Sequence, residues 1–309
     1  MKHPDKIQAK HIINPVYWPV WLVIGLMRLG VHLPFGVQVS LGKLIGRAIY
    51  ATAGRRRDIT HINIELCFPE LDTTERRRLA REHFEALGIA VFEIALCWWG
   101  SERKLRKLVR IEGLEHLDAA LARGNGALLL SAHFTTLEIG GRLLSLFHPF
   151  HLMYRPNRTE LLEIIISNSR RKHFEKVIPR DDVRSMIRSL KDNQPVWYAP
   201  DQGYRGKHSA MLPFFNVPAP TNTATSRIAK STGSPVLPFM VERLPGSQGY
   251  LLRIDPPLED FPSGDPEEDG TRVNAIIEAE ARRVPEQYLW CHNRFKTDYR
   301  RQSKVKSEK

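Results

Sequence analysis

Ala127-Leu128-Leu129-Leu130-Ser131-Ala132-His133-Phe134-Thr135-Thr136-Leu137-Glu138-Ile139-Gly140-Gly141 is the stretch around which this chain is organised. Ala127 to Leu130 reads as a buried strand, introduced by the turn signal Gly124-Asn125-Gly126. Leu137, Leu143, Leu144 and Phe147 fit a helix with Thr135 or Thr136 at its N-cap. His133 then falls at the carboxyl end of a strand and just before a helix, where open α/β sheets place their ligands. Residues five apart on one helix would sit roughly 140° apart, so His133 and Glu138 can meet only if His133 lies in the loop. In that geometry Glu138 would accept from one ring nitrogen and leave the other as a general base. The H-x-x-x-x-E spacing recurs by chance in many chains. The strand-to-helix context is what gives it functional weight.

The 309 residues suffice for a sizeable core, and 42% hydrophobic with 26% charged residues is ordinary for a globular chain. The net charge of +12 is not ordinary. Residues 1–110 hold 18 Lys and Arg against 10 Asp and Glu, so most of the excess lies in the first third. Phospholipid, an acidic carrier protein and nucleic acid are the anionic partners to weigh. Cys67, Cys97 and Cys291 are widely spaced, which suits a reducing compartment without a disulfide framework. The 12 histidines show no metal-ligand spacing, and neither a metal nor another cofactor is expected.

Pro15 to Met27 is a run of 13 uncharged residues carrying Tyr17, Trp18 and Trp21, preceded by Lys2, Lys6 and Lys10. A bilayer core needs about twenty apolar residues. The segment is expected to be one tilted membrane helix or an in-plane anchor, giving an N-terminal anchor over residues 1–35. No small-residue cleavage site follows a compact apolar core, which speaks against a cleaved signal peptide. Leu41 to Thr52 is a second apolar helix, followed by Arg55-Arg56-Arg57, a triplet suited to lipid phosphates.

Asp72-Thr73-Thr74-Glu75 reads as a capping box opening a long helix to Trp99. Arg76, Arg77 and Arg78 in its first turn oppose the helix dipole, which suggests an anionic partner; Arg103, Lys104, Arg106 and Lys107 follow. From Ile111 onward helices and strands alternate, which predicts an α/β fold. Strands are expected at 127–131, 151–154, 196–199 and 235–241, with 250–254 as an edge strand and the last long helix over 272–283. Residues 263–270 read as an acidic surface loop. Residues 36–300 form the main domain, and 301–309 a charged tail.

Further blocks stand beside the His133–Glu138 pair: Asn63-Ile64-Glu65-Leu66-Cys67-Phe68-Pro69-Glu70, Tyr154-Arg155-Pro156-Asn157, Trp197-Tyr198-Ala199-Pro200-Asp201, Leu212-Pro213-Phe214-Phe215, Pro285-Glu286-Gln287-Tyr288-Leu289-Trp290 and Arg294-Phe295-Lys296-Thr297. In this order, over about residues 14 to 300, the chain resembles the late (secondary) acyltransferases of lipid A biosynthesis, and within them the lauroyl branch. The resemblance implies a glycerolipid-acyltransferase-like α/β core with an N-terminal membrane helix, on the cytoplasmic face of the inner membrane. It implies transfer of a fatty acyl chain, lauroyl or similar, from acyl carrier protein to a hydroxyacyl hydroxyl of the Kdo-bearing lipid A precursor. Inner-membrane phospholipid is an implied partner and nucleic acid is not.

The residues suit that chemistry. A plain alcohol needs a base at the moment it attacks a thioester, which His133 supplies with Glu138 orienting it. By match to family blocks, Arg155 and Arg170 are expected to meet the acceptor's phosphates, and Asp201 to support the site. Gly203, after Asp201-Gln202, stands where relatives often carry a second acidic residue. One rival reading is an acyltransferase acting on a glycerophospholipid acceptor. The other is a non-catalytic basic protein that binds membrane or nucleic acid, which accounts for the charge but not for the His133 turn.

Overall fold

The computed structural model describes residues 6–295 apart from Arg158, Arg205 and Lys207; Lys2, Lys296, Thr297 and the tail 301–309 lie outside the described residues. The chain begins with α1 (Ala9–Ile13), α2 (Trp18–Gly30), α3 (Phe35–Thr52), α4 (Gly54–Cys67), α5 (Thr73–Trp99) and α6 (Glu102–Arg106). Alternation follows: β1 (Val109–Glu112), α7 (Leu114–Leu121), β2 (Ala127–Leu130), α8 (Leu137–Leu144), β3 (His151–Tyr154), α9 (Glu160–His173), β4 (Lys176–Pro179), α10 (Val183–Lys191) and β5 (Pro195–Tyr198). A hairpin of β6 (Ser209–Phe214) and β7 (Val217–Asn222) leads to α11 (Ala224–Thr232), β8 (Val236–Arg243), β9 (Tyr250–Ile254) and α12 (Pro266–Arg283).

The main sheet has the order β1-β9-β8-β2-β5-β3-β4. Among the described residues only β8 and β9 pair antiparallel within it. Strand β2 is central and buried on both faces, which is why it reads as an unbroken apolar run rather than an alternating one. Leu128 and Leu130 face a core shared with α10, α11 and α12, whereas Ala127 and Leu129 face a second core with α7 and α8. Strand β9 lies between β1 and β8, so it is not the edge strand expected from its alternation. The acidic segment 263–270 is only partly loop. Asp265 caps α12 by accepting from Glu267 N, Pro266 takes the first helical position, and Glu267, Glu268 and Asp269 fill the first turn.

The capping box at α5 forms as read: Asp72 accepts from Thr74 N and Glu75 N, and Glu75 accepts from Asp72 N. One of the arginines that oppose its dipole has a structural use. Arg76 reaches back to Phe68 O and Pro69 O, carbonyls just past the end of α4.

The expected membrane-spanning helix does not form. Among the described residues no helix is long and apolar enough to cross a membrane. Helix α2 has 13 residues, about 20 Å at 1.5 Å each, against a hydrocarbon core of about 30 Å. Two side chains tie down the turn that follows it. Gln38 Nε2 donates to Gly30 O, Val31 O and Leu33 O, and Lys104 Nζ donates to Val31 O and Leu33 O. These donors satisfy the carbonyls at the helix end, and Pro34 starts α3 in a new direction.

Helix α3 then packs backbone to backbone on α5 through Gly42, Gly46 and Gly88. A Cβ on Gly88 would stand 2.0 Å from Gly42 O and 2.4 Å from Gly46 N. Neither atom can swing aside, so Gly88→Val separates the two helices. It is expected to cost at least about 2 kcal/mol in urea unfolding. Gly25→Ala is the control, because a Cβ there meets nothing within 4 Å. Alanine should even stabilise α2 by roughly 0.5–1 kcal/mol.

Candidate active site

Register brings the site together. Strands β2 and β5 are parallel neighbours with Leu130 opposite Tyr198. His133 and Asp201 each follow three residues later, at the same carboxyl edge of the sheet. Asp201 Oδ1 meets His133 Nδ1 at 2.5 Å, and Asp201 Oδ2 accepts from His133 N at 3.0 Å. Tyr288 OH donates to the same Oδ2 at 3.2 Å. Asp201 is 4% exposed, while the His133 side chain keeps 24% exposure. The pair therefore has a buried carboxylate behind a ring that solvent or a ligand can reach. Asp201 engages Nδ1 and leaves Nε2 as the other ring nitrogen.

Burial opposes protonation of His133, but the Asp201 charge and hydrogen bond outweigh it and raise its pKa above the usual imidazole value. Burial pushes Asp201 the other way, and the His133 charge, the two hydrogen bonds from His133 and the Arg294 guanidinium bring it below the ordinary carboxylate value.

The loop carrying His133 is held from behind by the segment 285–290. Leu289 N donates to His133 O at 3.0 Å, Thr135 N donates to Gln287 O at 2.7 Å, and Phe134 bridges to Tyr288. Thr136 occupies the N-cap position of α8 but caps nothing with its side chain; its hydroxyl donates to Val241 O instead.

Glu138 is in the first turn of α8, as read, but it does not orient His133. Its carboxylate pairs with Arg170 of α9 in a charge-assisted contact. Two parallel strands ending side by side give His133 a nearer partner than its own helix can. Arg170 also lies over the Tyr154 ring at 5.2 Å. Tyr154 OH donates to Glu163 Oε1, and Glu163 Oε2 accepts from Asn157 N. This chain of contacts fixes the Tyr154–Asn157 loop, which leaves β3 at the same sheet edge, and Arg155 on that loop is exposed. Arg170 Nε is buried without a hydrogen-bond partner among the described residues. Thus one edge holds His133 with Asp201, Glu138 with Arg170, and Arg155.

Tyr288 and Arg294 lay inside quoted blocks but were given no role there. Arg294 is 3% exposed, donates to Pro220 O and Thr221 Oγ1, and adds positive charge near Asp201. Burial raises the thiol pKa of Cys67, Cys97 and Cys291, so none is poised as a thiolate nucleophile. Among the described residues no group of three or more His, Cys, Asp and Glu could hold a metal ion.

A buried aspartate behind a reachable imidazole, at the carboxyl edge of a largely parallel sheet, is the arrangement of an α/β enzyme. Residues 6–297 match the family described as bacterial lipid A biosynthesis acyltransferase. The chain is 36% identical over 290 residues to a lipid A biosynthesis palmitoleoyltransferase of Escherichia coli (strain K12), covering 94% of both chains. It is also 36% identical over 287 residues to a lipid A biosynthesis lauroyltransferase of that strain, covering 93% of this chain and 94% of the relative. A lipid A biosynthesis myristoyltransferase of the same strain is 25% identical over 295 residues. The chain belongs to the lipid A biosynthesis acyltransferase family and is an acyltransferase.

Proposed function

We propose that this enzyme moves a fatty acyl chain, lauroyl or of similar length, from the thioester of acyl carrier protein to a hydroxyacyl hydroxyl of the Kdo-bearing lipid A precursor. The observation that carries the mechanism is the Nδ1 contact between His133 and Asp201. His133 Nε2 takes the proton of the acceptor hydroxyl as its oxygen attacks the thioester carbonyl. The tetrahedral intermediate collapses with cleavage of the C–S bond, and the imidazolium returns the proton to the leaving thiolate. Asp201 holds the ring and stabilises its charged form. Glu138 holds Arg170, which keeps a positive charge at this edge for an anionic oxygen of the intermediate or the acceptor. Arg155 meets acceptor phosphate.

The relatives bearing palmitoleoyl and lauroyl names are equally similar to the chain, so overall identity favours neither acyl length. For the carrier, the useful cations are the exposed Arg77, Arg103 and Lys107. Lys104 and Arg106 are tied to backbone carbonyls, as Arg76 is.

The membrane reading becomes an in-plane one. Among the described residues, apart from Val183, Tyr204 and Met211, the exposed large hydrophobic residues all lie between Ile7 and Ile45. Trp18, Leu22, Leu26 and Leu29 form one stripe on α2; Val37, Leu41, Leu44 and Ile45 form another on α3. This surface lies in the cytoplasmic leaflet of the inner membrane with its apolar side chains at the acyl boundary.

The test is mass spectrometry of products formed from purified lipid A precursor, or from a glycerophospholipid precursor, with carrier protein loaded with acyl chains of several lengths. Acylated lipid A precursor should form with wild type and not with His133→Ala. Acylation of the glycerophospholipid alone would favour the rival acceptor.

A further inference from the structure

A second cationic cluster lies outside the site just described. Arg47, Tyr50, Arg81 and Glu85 line an open cleft of about 390 Å³ between α3 and α5. Tyr50 is fixed from behind: its ring meets Phe84 edge-on at 5.3 Å, and its hydroxyl lies 3.1 Å from His61 Nε2. The guanidinium groups of Arg57 and Arg81 stand 5.6 and 6.0 Å from the centre of that ring. Arg47 Nε donates to Glu85 Oε1 at 2.7 Å, and the Arg47 side chain is 65% exposed. Two guanidinium groups thus stand by the Tyr50 ring, and Arg47 with Arg81 meets a single carboxylate among the cleft-lining residues, which leaves a net positive charge at an accessible opening.

The neighbouring surface says which anion suits it. On α3, Leu41, Leu44 and Ile45 are exposed, and Arg47 follows Leu44 by three residues, about one turn further on and on an adjoining face. The cleft therefore borders the apolar surface where that surface ends. Apolar side chains at acyl depth, with tyrosine and arginine beside them at headgroup depth, match the layering of a membrane interface. Guanidinium groups pair with phosphate through two parallel bonds, which a cleft offering two of them can exploit. A soluble anion would draw nothing from the adjoining apolar stripe.

We propose that the Arg47–Tyr50–Arg81 cleft, with Arg57 behind it, binds the phosphate of an anionic membrane phospholipid, and that this phosphate displaces Glu85 from Arg47. The proposal rests on the in-plane membrane reading of α2 and α3. It adds a lipid-recognition site that takes no part in acyl transfer.

The experiment is vesicle sedimentation of the full chain with phosphatidylcholine alone or with about a quarter phosphatidylglycerol. Wild type should bind neutral vesicles through its apolar face and bind the anionic ones more tightly. Arg47→Ala with Arg81→Ala should keep neutral binding and lose about fivefold of the anionic gain per cation removed. The pair Arg110→Ala with Arg123→Ala, exposed cations on β1 and after α7, should retain it. Glu85→Gln should strengthen anionic binding, because the internal competitor is gone.

Equal losses in the two arginine pairs, or none in Arg47/Arg81, overturn the proposal. So does a KM for lipid A precursor that rises in Arg47/Arg81 with vesicle binding unchanged, which would give the cleft to the acceptor. Competition by inorganic phosphate at these residues without any vesicle effect assigns it to a soluble anion and overturns the lipid. Wild type that ignores neutral vesicles overturns the in-plane reading itself; normal neutral binding without an anionic gain overturns the headgroup site alone.

Discussion

Asp201→Asn lowers acyl transfer by about 10²–10⁴-fold while the protein stays folded. The aspartate accepts three hydrogen bonds, from His133 Nδ1, His133 N and Tyr288 OH. Asparagine has one carbonyl oxygen and one amide, so at least one of these donors faces an amide N–H. If the ring responds by moving its proton to Nε2, the nitrogen that should act as base is blocked.

The pH profile gives a second, signed readout. The proposed mechanism needs neutral His133, so kcat/KM is expected to fall as pH drops through the His133 pKa, which Asp201 holds above the usual value. Removing the Asp201 charge leaves burial to act alone, and burial lowers the pKa, so the acid limb moves to lower pH. Tyr288→Phe moves it the other way. Without the hydroxyl donor the carboxylate is more basic and holds the imidazolium more strongly, so the limb shifts upward, with a smaller loss of rate. An acid limb that stays in place in Asp201→Asn would remove Asp201 from the mechanism. Glu138→Gln is a contrast, because its carboxylate serves Arg170 and should leave the limb where it is.

How much of this was legible depends on how far apart the partners lie in sequence. The strand at 127–130, the α5 capping box and the α/β alternation follow from neighbouring residues, and the structure contains all three. The His133–Asp201 contact depends on which strand lies next to β2, and that order is a tertiary fact. Its trace in the sequence is that both residues follow the last residue of their apolar strands, Leu130 and Tyr198, by the same interval. Local reasoning chose Glu138 because it was close in the chain. It allowed α2 a membrane span for a related reason: Gln38 can be seen nearby, but Lys104, the other side chain that ties down the turn after the helix, comes from a segment 71–73 residues away. The β6–β7 hairpin was missed because its strands carry Pro213, Pro218 and Pro220, residues that ordinarily argue against strand. That pair stands apart from the main sheet, where fewer ladder donors are needed.

A second long-range partnership predicts the largest loss of stability. Glu93 of α5 and Arg243 at the end of β8 are 150 residues apart and form a bidentate pair, at 2.7 and 2.8 Å, with both side chains almost fully buried. Tyr250 OH donates to Glu93 Oε1 at 2.8 Å, so the carboxylate is well satisfied. Burial disfavours the charged guanidinium, yet the Glu93 charge outweighs it and raises the Arg243 pKa. Arg243→Met keeps the volume but leaves Glu93 with one hydroxyl donor and no counter-charge. The expected cost is about 3–5 kcal/mol, read as a shift in the urea midpoint at unchanged slope. Glu93→Leu with Arg243→Met removes both charges and should recover most of that loss, because a desolvated pair contributes little net stability over apolar packing. Recovery of stability need not restore activity. Arg243 N donates to Gln287 Oε1 and Arg243 O accepts from Gln287 Nε2, while Gln287 O accepts from Thr135 N beside the catalytic loop. These are backbone bonds at Arg243, so they survive its replacement, and the double variant should remain active if the pair serves folding alone. A double variant that regains stability but not turnover would show that the Arg243 guanidinium, 3.4 Å from Thr135 Oγ1, also sets the position of the His133 loop.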